Sequence, residues 1–157
     1  MEDVGLREAT TEDRSLVVDF DYSLNKLEHI ELKREEKITK AILAKECLII
    51  LANNKAVGFV IFDYRFFDQG WIELIIIEED YRGKGIGGRV FDLIGKKCKT
   101  NKVFTSTNSS NIQMQKALDK VGFTFAGEIN GLDDGDPEWF YYKTTKNNVP
   151  AQNDYDA

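Results

Sequence analysis

The segment that most constrains this chain is a strand, a charged corner and a glycine-rich turn in immediate succession. Trp71-Ile72-Glu73-Leu74-Ile75-Ile76-Ile77 is apolar on both faces, as a central strand is, and Glu73 is the one ionisable group inside it. Glu78-Glu79-Asp80-Tyr81 follows, then Arg82-Gly83-Lys84-Gly85-Ile86-Gly87-Gly88. A helix is predicted after the turn, with Val90, Phe91, Ile94 and Cys98 spaced for one face. Such a strand, turn and helix N-terminus aim backbone N–H groups at one place, and glycine lets a phosphate approach the backbone. An anion site is therefore expected here.

Spacing separates the phosphate ligands. A P-loop needs G-x-x-x-x-G-K-[ST]; Gly83 and Gly88 have that spacing, but Arg89-Val90 follow, so the lysine and the Mg²⁺-binding hydroxyl are missing. Gly83, Gly85 and Gly88 match the dinucleotide pattern G-x-G-x-x-G. However, Glu78 to Arg82 separate it from the strand, and Phe104 to Asn108 stand where a ribose-binding acid belongs. The remaining pattern is R-x-x-G-x-G, met by Arg82, Gly85 and Gly87.

The other elements follow from patterning. A short strand over Gly5 to Ala9 leads to Thr10, which can cap a helix with Asp13 three residues on. Leu16, Val17, Phe20, Leu24 and Leu27 form its apolar stripe. A charged helix over Glu31 to Lys45 turns Ile38 and Ile42 inward and sets Glu36 against Lys40. Cys47 to Ala52, Ala56 to Phe62 and Lys102 to Thr107 read as strands, with a turn at Asn53-Asn54-Lys55. Ser109-Ser110-Asn111 opens a helix with the stripe Met114, Ala117, Leu118 and Val121, stopped at Gly122. Phe123 to Ile129 and Glu138 to Thr144 are expected to be two antiparallel strands flanking a loop rich in aspartate.

These elements together resemble the GNAT superfamily of acetyl-CoA-dependent N-acetyltransferases. Trp71 to Ile77 resembles that family's fourth strand, and Arg82 to Gly87 its pyrophosphate loop. Asn111, Met114, Gly122 and Phe123 are similar to its second segment, and the resemblance runs from Leu6 to Thr144. It implies an α/β (α+β) fold: a mixed, mostly antiparallel sheet with helices on both faces and a cleft at splayed central strands. One transferase domain over residues 1–146 and a polar, frayed tail at 147–157 are expected.

The resemblance also implies the site. The amides of Arg82, Gly83, Lys84, Gly85, Ile86 and Gly87 would hold the pyrophosphate of acetyl-CoA, with Arg82 and Lys84 adding positive charge. Backbone on Ile75 and Ile77 would pair with the pantetheine arm, and Asn111 would meet it or brace the cleft wall. Glu73 is the candidate general base, acting through a water, because partial burial among isoleucines makes a carboxylate a better proton acceptor. Many family members place a tyrosine seven residues after the motif asparagine; here Leu118 stands there, which cannot donate a proton. Tyr141 or Tyr142 is the replacement candidate for the acid, and strand alternation gives only one of them the correct face.

The expected activity is acetyl transfer from acetyl-CoA directly to a primary amine, on a small molecule or a protein. The alternative is a non-catalytic acyl-CoA-binding module of the same fold. Asp133, Asp134 and Asp136 are either a solvated turn or an attractor for a cationic acceptor.

Composition limits the remaining classes. The chain has 157 residues, with 21 basic and 27 acidic side chains, a net charge of −6. That balance disfavours long nucleic acids, whose binding needs dense Lys and Arg. The longest apolar run, Cys47 to Ala52, is far short of the roughly 20 residues a spanning helix needs, so no membrane partner is expected. His29 is alone and is taken as solvated, so no metal is expected. Cys47 and Cys98 read as buried small hydrophobes of a cytoplasmic protein, a monomer or homodimer.

Overall fold

The computed structural model describes residues 3–22 and 31–145. Leu24, Leu27, His29 and the tail at 147–157 lie outside the described residues. The strands are β1 (Val4–Glu8), β2 (Cys47–Ala52), β3 (Lys55–Phe66), β4 (Gln69–Ile77), β5 (Lys102–Asn108), β6 (Thr124–Ile129) and β7 (Glu138–Thr144). The helices are α1 (Arg14–Tyr22), α2 (Glu31–Leu43), α3 (Ile86–Lys97) and α4 (Ile112–Lys120). Strand order is β1-β2-β3-β4-β5-β7-β6. The pairings β1–β2, β2–β3, β5–β7 and β6–β7 are antiparallel, and β4–β5 is parallel from Gly70↔Val103 to Ile72↔Thr105. This is the expected mixed, mostly antiparallel α/β architecture.

The chain divides into two compact units, Met1–Asp63 with Glu73–Val90, and Tyr64–Ile72 with Phe91–Ala157. In the first, Val17 and Phe20 of α1 and Ile38 and Ile42 of α2 pack on Cys47 and Ile49 of β2 and Phe59 and Ile61 of β3. Leu16 of the expected stripe instead faces solvent, 36% exposed. Each fully buried Ile or Phe contributes about 1.5–3 kcal/mol relative to an exposed one. The expected Glu36–Lys40 pair does not form; α2 spends its charges on other elements, Arg34 on Asp21 at 3.1 Å and Glu35 on Arg14 at 3.7 Å. Tertiary carboxylates outcompete an exposed i,i+4 pair worth a few tenths of a kcal/mol.

Two hairpins set the strand lengths. Asn53 and Asn54, with φ of 50° and 66°, form the two-residue turn between β2 and β3. Phe67 and Asp68, φ 52° and 60°, form another between β3 and β4. Phenylalanine is uncommon in the left-handed region, so this second turn carries no sequence signature and both flanking strands run past their expected ends. Val57 is an extra residue on β3, since Ile50 pairs with Gly58 and Leu51 with Ala56.

In the second unit, β7 alternates its aromatics. Phe140 and Tyr142 join Phe66, Trp71 and Phe104 in one aromatic row of stacked and tilted pairs, with Phe66 and Trp71 centroids 4.6 Å apart. Tyr141 and Trp139 turn to Phe125 on the opposite face. Below the stripe of α3, Phe91 meets Phe123 edge-on at 5.3 Å. Cys47 and Cys98 are both buried, as expected.

Gly58 makes a tight backbone contact: a Cβ there would collide with the carbonyl oxygen of Ile76 and lie 3.0 Å from Ile77 Cα. Gly58→Ala is expected to cost about 1–3 kcal/mol, read as a drop of several degrees in Tm. A second test concerns acid stability. Arg7 donates two hydrogen bonds to Asp13, at 2.8 and 2.9 Å, and the Thr10 amide a third at 2.8 Å. They hold the Asp13 carboxyl well below the usual carboxylate range. Its stabilisation is therefore full above the unfolded value near 3.9 and is lost as pH falls through the folded value. Asp13→Asn should cost about 1 kcal/mol near neutrality in urea titrations, with the gap to wild type closing below about pH 3.

Candidate functional site

The end of β4 passes through a single 3-10 turn, Glu79–Tyr81, into the glycine segment. Gly83 and Gly85 adopt φ of +72° and +80°, where any other residue is strained. The helix was expected to follow Gly88, yet α3 begins at Ile86, so Gly87 and Gly88 belong to its first turn. Neither has a positive φ, and glycine at a helix N-terminus exposes the backbone without breaking it. Arg89 N–H already reaches Gly85 O at 3.3 Å, whereas first-turn N–H groups have no acceptor within a helix. Those donors and the positive end of the α3 dipole are what an anion at this corner would meet.

The cations around this corner are ordered. Arg82 Nε donates to Ile77 O at 2.8 Å, tying the guanidinium to the end of β4. Lys84 and Lys55 lie 5.5 and 5.4 Å from the centre of the Tyr81 ring. A hydrogen bond with Tyr81 holds the Lys55 ammonium above the usual lysine range. Lys55, on the β2–β3 hairpin, was not anticipated, because only the tertiary fold sets it beside a glycine loop later in sequence.

On β4 itself Ile72 and Ile76 are buried, while Ile75 and Ile77 are half-buried, so the strand is less enclosed than its composition suggests. Glu73 shares the face of Ile75 and Ile77 by alternation. Its Oε1 lies 2.9 Å from Lys37 Nζ of α2, and its side chain is 27% exposed. This ion pair was also missed, since nothing in the spacing of α2 and β4 links the two residues.

The remaining expected site residues belong to the second unit. Asn111 is the N-cap of α4, where its Oδ1 accepts from Met114 N at 3.1 Å, leaving its amide nitrogen as a donor. Leu118 is fully buried, which fixes it as core. Tyr141 is buried, and burial and Asp119 keep its phenol above the ordinary tyrosine range. Tyr142 is half-buried with Lys102 Nζ 5.1 Å from its ring centre. The aspartate loop is an exposed turn, as one of its two readings had it, and two of its carboxylates are tied to neighbours. Asp133 accepts from Asn108 at 2.8 Å, and Asp136 accepts from Ser110 Oγ at 2.6 Å, from Ser110 N at 3.0 Å and from Ser109 Oγ at 3.0 Å. These bonds hold the Asp136 carboxyl below the usual range.

The family model described as the acetyltransferase (GNAT) family matches residues 13–123. This chain belongs to that family. As a GNAT acetyltransferase it is an acyltransferase, and its glycine segment and β4 lie inside the matched residues. It is 26% identical over 147 residues to the spermine/spermidine N(1)-acetyltransferase of Bacillus subtilis (strain 168), covering 81% of this chain and 91% of that protein. A crystal structure of a GNAT-family acetyltransferase from Bacillus cereus ATCC 10987 superposes with a TM-score of 0.82 at 29% identity, over 91% of this chain and 98% of that one. The acetyltransferase yncA from Salmonella typhimurium, solved with its cofactor acetyl-CoA, shares the fold, with a TM-score of 0.68 at 14% identity over 93% and 96% of the chains.

Among the described residues, no group of three or more His, Cys, Asp or Glu side chains is arranged to hold a metal ion. No described helix is long and apolar enough to cross a membrane.

The two kinds of glycine in this GNAT loop separate experimentally. Gly85→Ala forces a Cβ into the left-handed region and is expected to cost about 1–2 kcal/mol in urea unfolding. Gly87→Ala meets only Ile77 Cδ1 at an ordinary 3.6 Å and gains helix propensity, so its stability should match or exceed wild type.

Proposed function

We propose that this GNAT acetyltransferase moves the acetyl group of acetyl-CoA directly to a primary amine, with residues 1–146 acting as one catalytic domain. The observation that carries the reading is the Arg82–Gly88 segment, whose positive-φ glycines open the first turn of α3 at the end of β4. In this reading the amides of Arg82 to Gly87 bind the pyrophosphate of CoA, and Arg82 and Lys84 offset its charge. The backbone of Ile75 and Ile77 pairs with the pantetheine amides as an added strand would, and one of those N–H groups polarises the thioester carbonyl. Asn111 contributes its free amide nitrogen.

An amine acceptor is supported by Glu73, which already holds an ammonium, that of Lys37 at 2.9 Å. The Bacillus subtilis relative is named for spermine and spermidine, so polyamines are the first acceptors to assay. Glu73 then removes the acceptor's proton, through a water, and the amine attacks the carbonyl while the C–S bond breaks. The departing sulfur takes a proton from solvent or from a tyrosine. Tyr141, whose buried phenol stays protonated, and Tyr142, on the opposite face, are the two candidates. Holding both substrates in attack geometry supplies much of the rate.

CoA release measured with a thiol reagent against spermidine, amino acids and N-terminal peptides tests the reading. Glu73→Gln should lower kcat by about 10²-fold or more while leaving the Kd for acetyl-CoA unchanged. Gly87→Val should remain folded and lose acetyl-CoA binding by calorimetry, because its side chain fills the phosphate approach. Retained affinity in Gly87→Val would sink the loop assignment.

A further inference from the structure

Lys37 projects from α2 with its side chain 44% exposed, and its amine nitrogen lies 2.9 Å from Glu73 Oε1. Two nearby arginines are engaged elsewhere, Arg34 with Asp21 and Arg14 with Glu35. Lys37 thus puts a primary amine directly on the carboxylate assigned above to proton removal. A free acceptor amine has to come to the same carboxylate, directly or across one water, before it can react. A strand rises about 3.3 Å per residue, so Ile75, two positions along β4, lies about 6.6 Å from Glu73. A lysine's flexible four-carbon stem covers a distance of that order by rotamer changes alone.

We propose that Lys37 is itself an acceptor, acetylated on Nζ by acetyl-CoA bound to the same molecule. The inference rests on the reading of Glu73 as base and of the glycine loop as the CoA site. Glu73 takes a proton from Nζ, and the freed lone pair attacks the thioester carbonyl carbon. The tetrahedral adduct collapses with cleavage of the C–S bond, the electron pair leaving on sulfur, which is protonated to free CoA. The products are an amide on Lys37 and CoA thiol, and no further reactant is needed. A tethered amine has an effective concentration in the millimolar range or above, so it competes with free acceptors at ordinary concentrations. Once acetylated, Lys37 carries no charge, and Glu73 is left for the cation of an incoming acceptor.

The test is incubation of the full chain with acetyl-CoA and no added amine, followed by peptide mass mapping over time. The Lys37 peptide should gain one acetyl group about tenfold or more faster than the peptide carrying Lys33, an exposed lysine on the same helix. Excess CoA or spermidine should slow the gain, Glu73→Gln should slow it further, and Gly87→Val should remove the preference for Lys37. Equal rates at Lys33 and Lys37, or an undiminished Lys37 rate with excess CoA present, would overturn the proposal. Turnover of free amines with Lys37 left bare would also overturn it while leaving the proposed function standing. Labelling of Lys37 in an enzyme that turns over no free amine would support it and remove the free-acceptor reading.

Discussion

The candidate site depends on one backbone feature: the chain leaves β4 and enters α3 through a short turn built on positive-φ glycines. A strand ends with its N–H groups directed sideways into a sheet, and a helix buries all but its first few. Gly83 and Gly85, at φ of +72° and +80°, make the change of direction within a few residues. Arg82 then anchors the turn by donating to Ile77 O. The local charge balance follows from this geometry. Glu78, Glu79 and Asp80 precede the turn, and Arg82, Lys84 and Lys55 surround it, so a chain of net charge −6 still presents a cationic corner.

Much of this was legible because it is local. The order strand, corner, glycine turn and helix is written in consecutive residues, and the apolar periods of α2 and α3 mark Ile38, Ile42, Val90, Phe91 and Ile94 as core. Errors arose where tertiary structure overrode a local rule. Phe67 turns in the left-handed region although its side chain brings no turn chemistry. Gly87 and Gly88 look like loop residues by composition but continue a helix already started at Ile86. Polar partners distant in sequence were invisible. Neither the Lys37–Glu73 pair nor the serine and asparagine donors that immobilise Asp133 and Asp136 has a sequence signature.

Glu73, the proposed base, illustrates how burial and pairing shape a carboxylate. An isolated carboxylate among isoleucines would be costly to desolvate, and Lys37 offsets that cost. The pair is only partly buried, so water and a competing cation both have access to it. A more enclosed pair would be firmer and less useful, since an acceptor would have to break it in a dry environment.

The two cysteines bear on the kinetic scheme. Both thiols of the chain are buried, and burial pushes the Cys47 thiol up to about 12. Cys47, held protonated in a core, is a poor nucleophile, and burial keeps Cys98 from a bound substrate, so neither side chain offers the acetyl group a resting place between donor and acceptor. A double-displacement route through an acyl-cysteine is thereby closed. Under the proposed direct transfer both substrates occupy the enzyme together, and initial-rate plots at varied acetyl-CoA should intersect rather than run parallel.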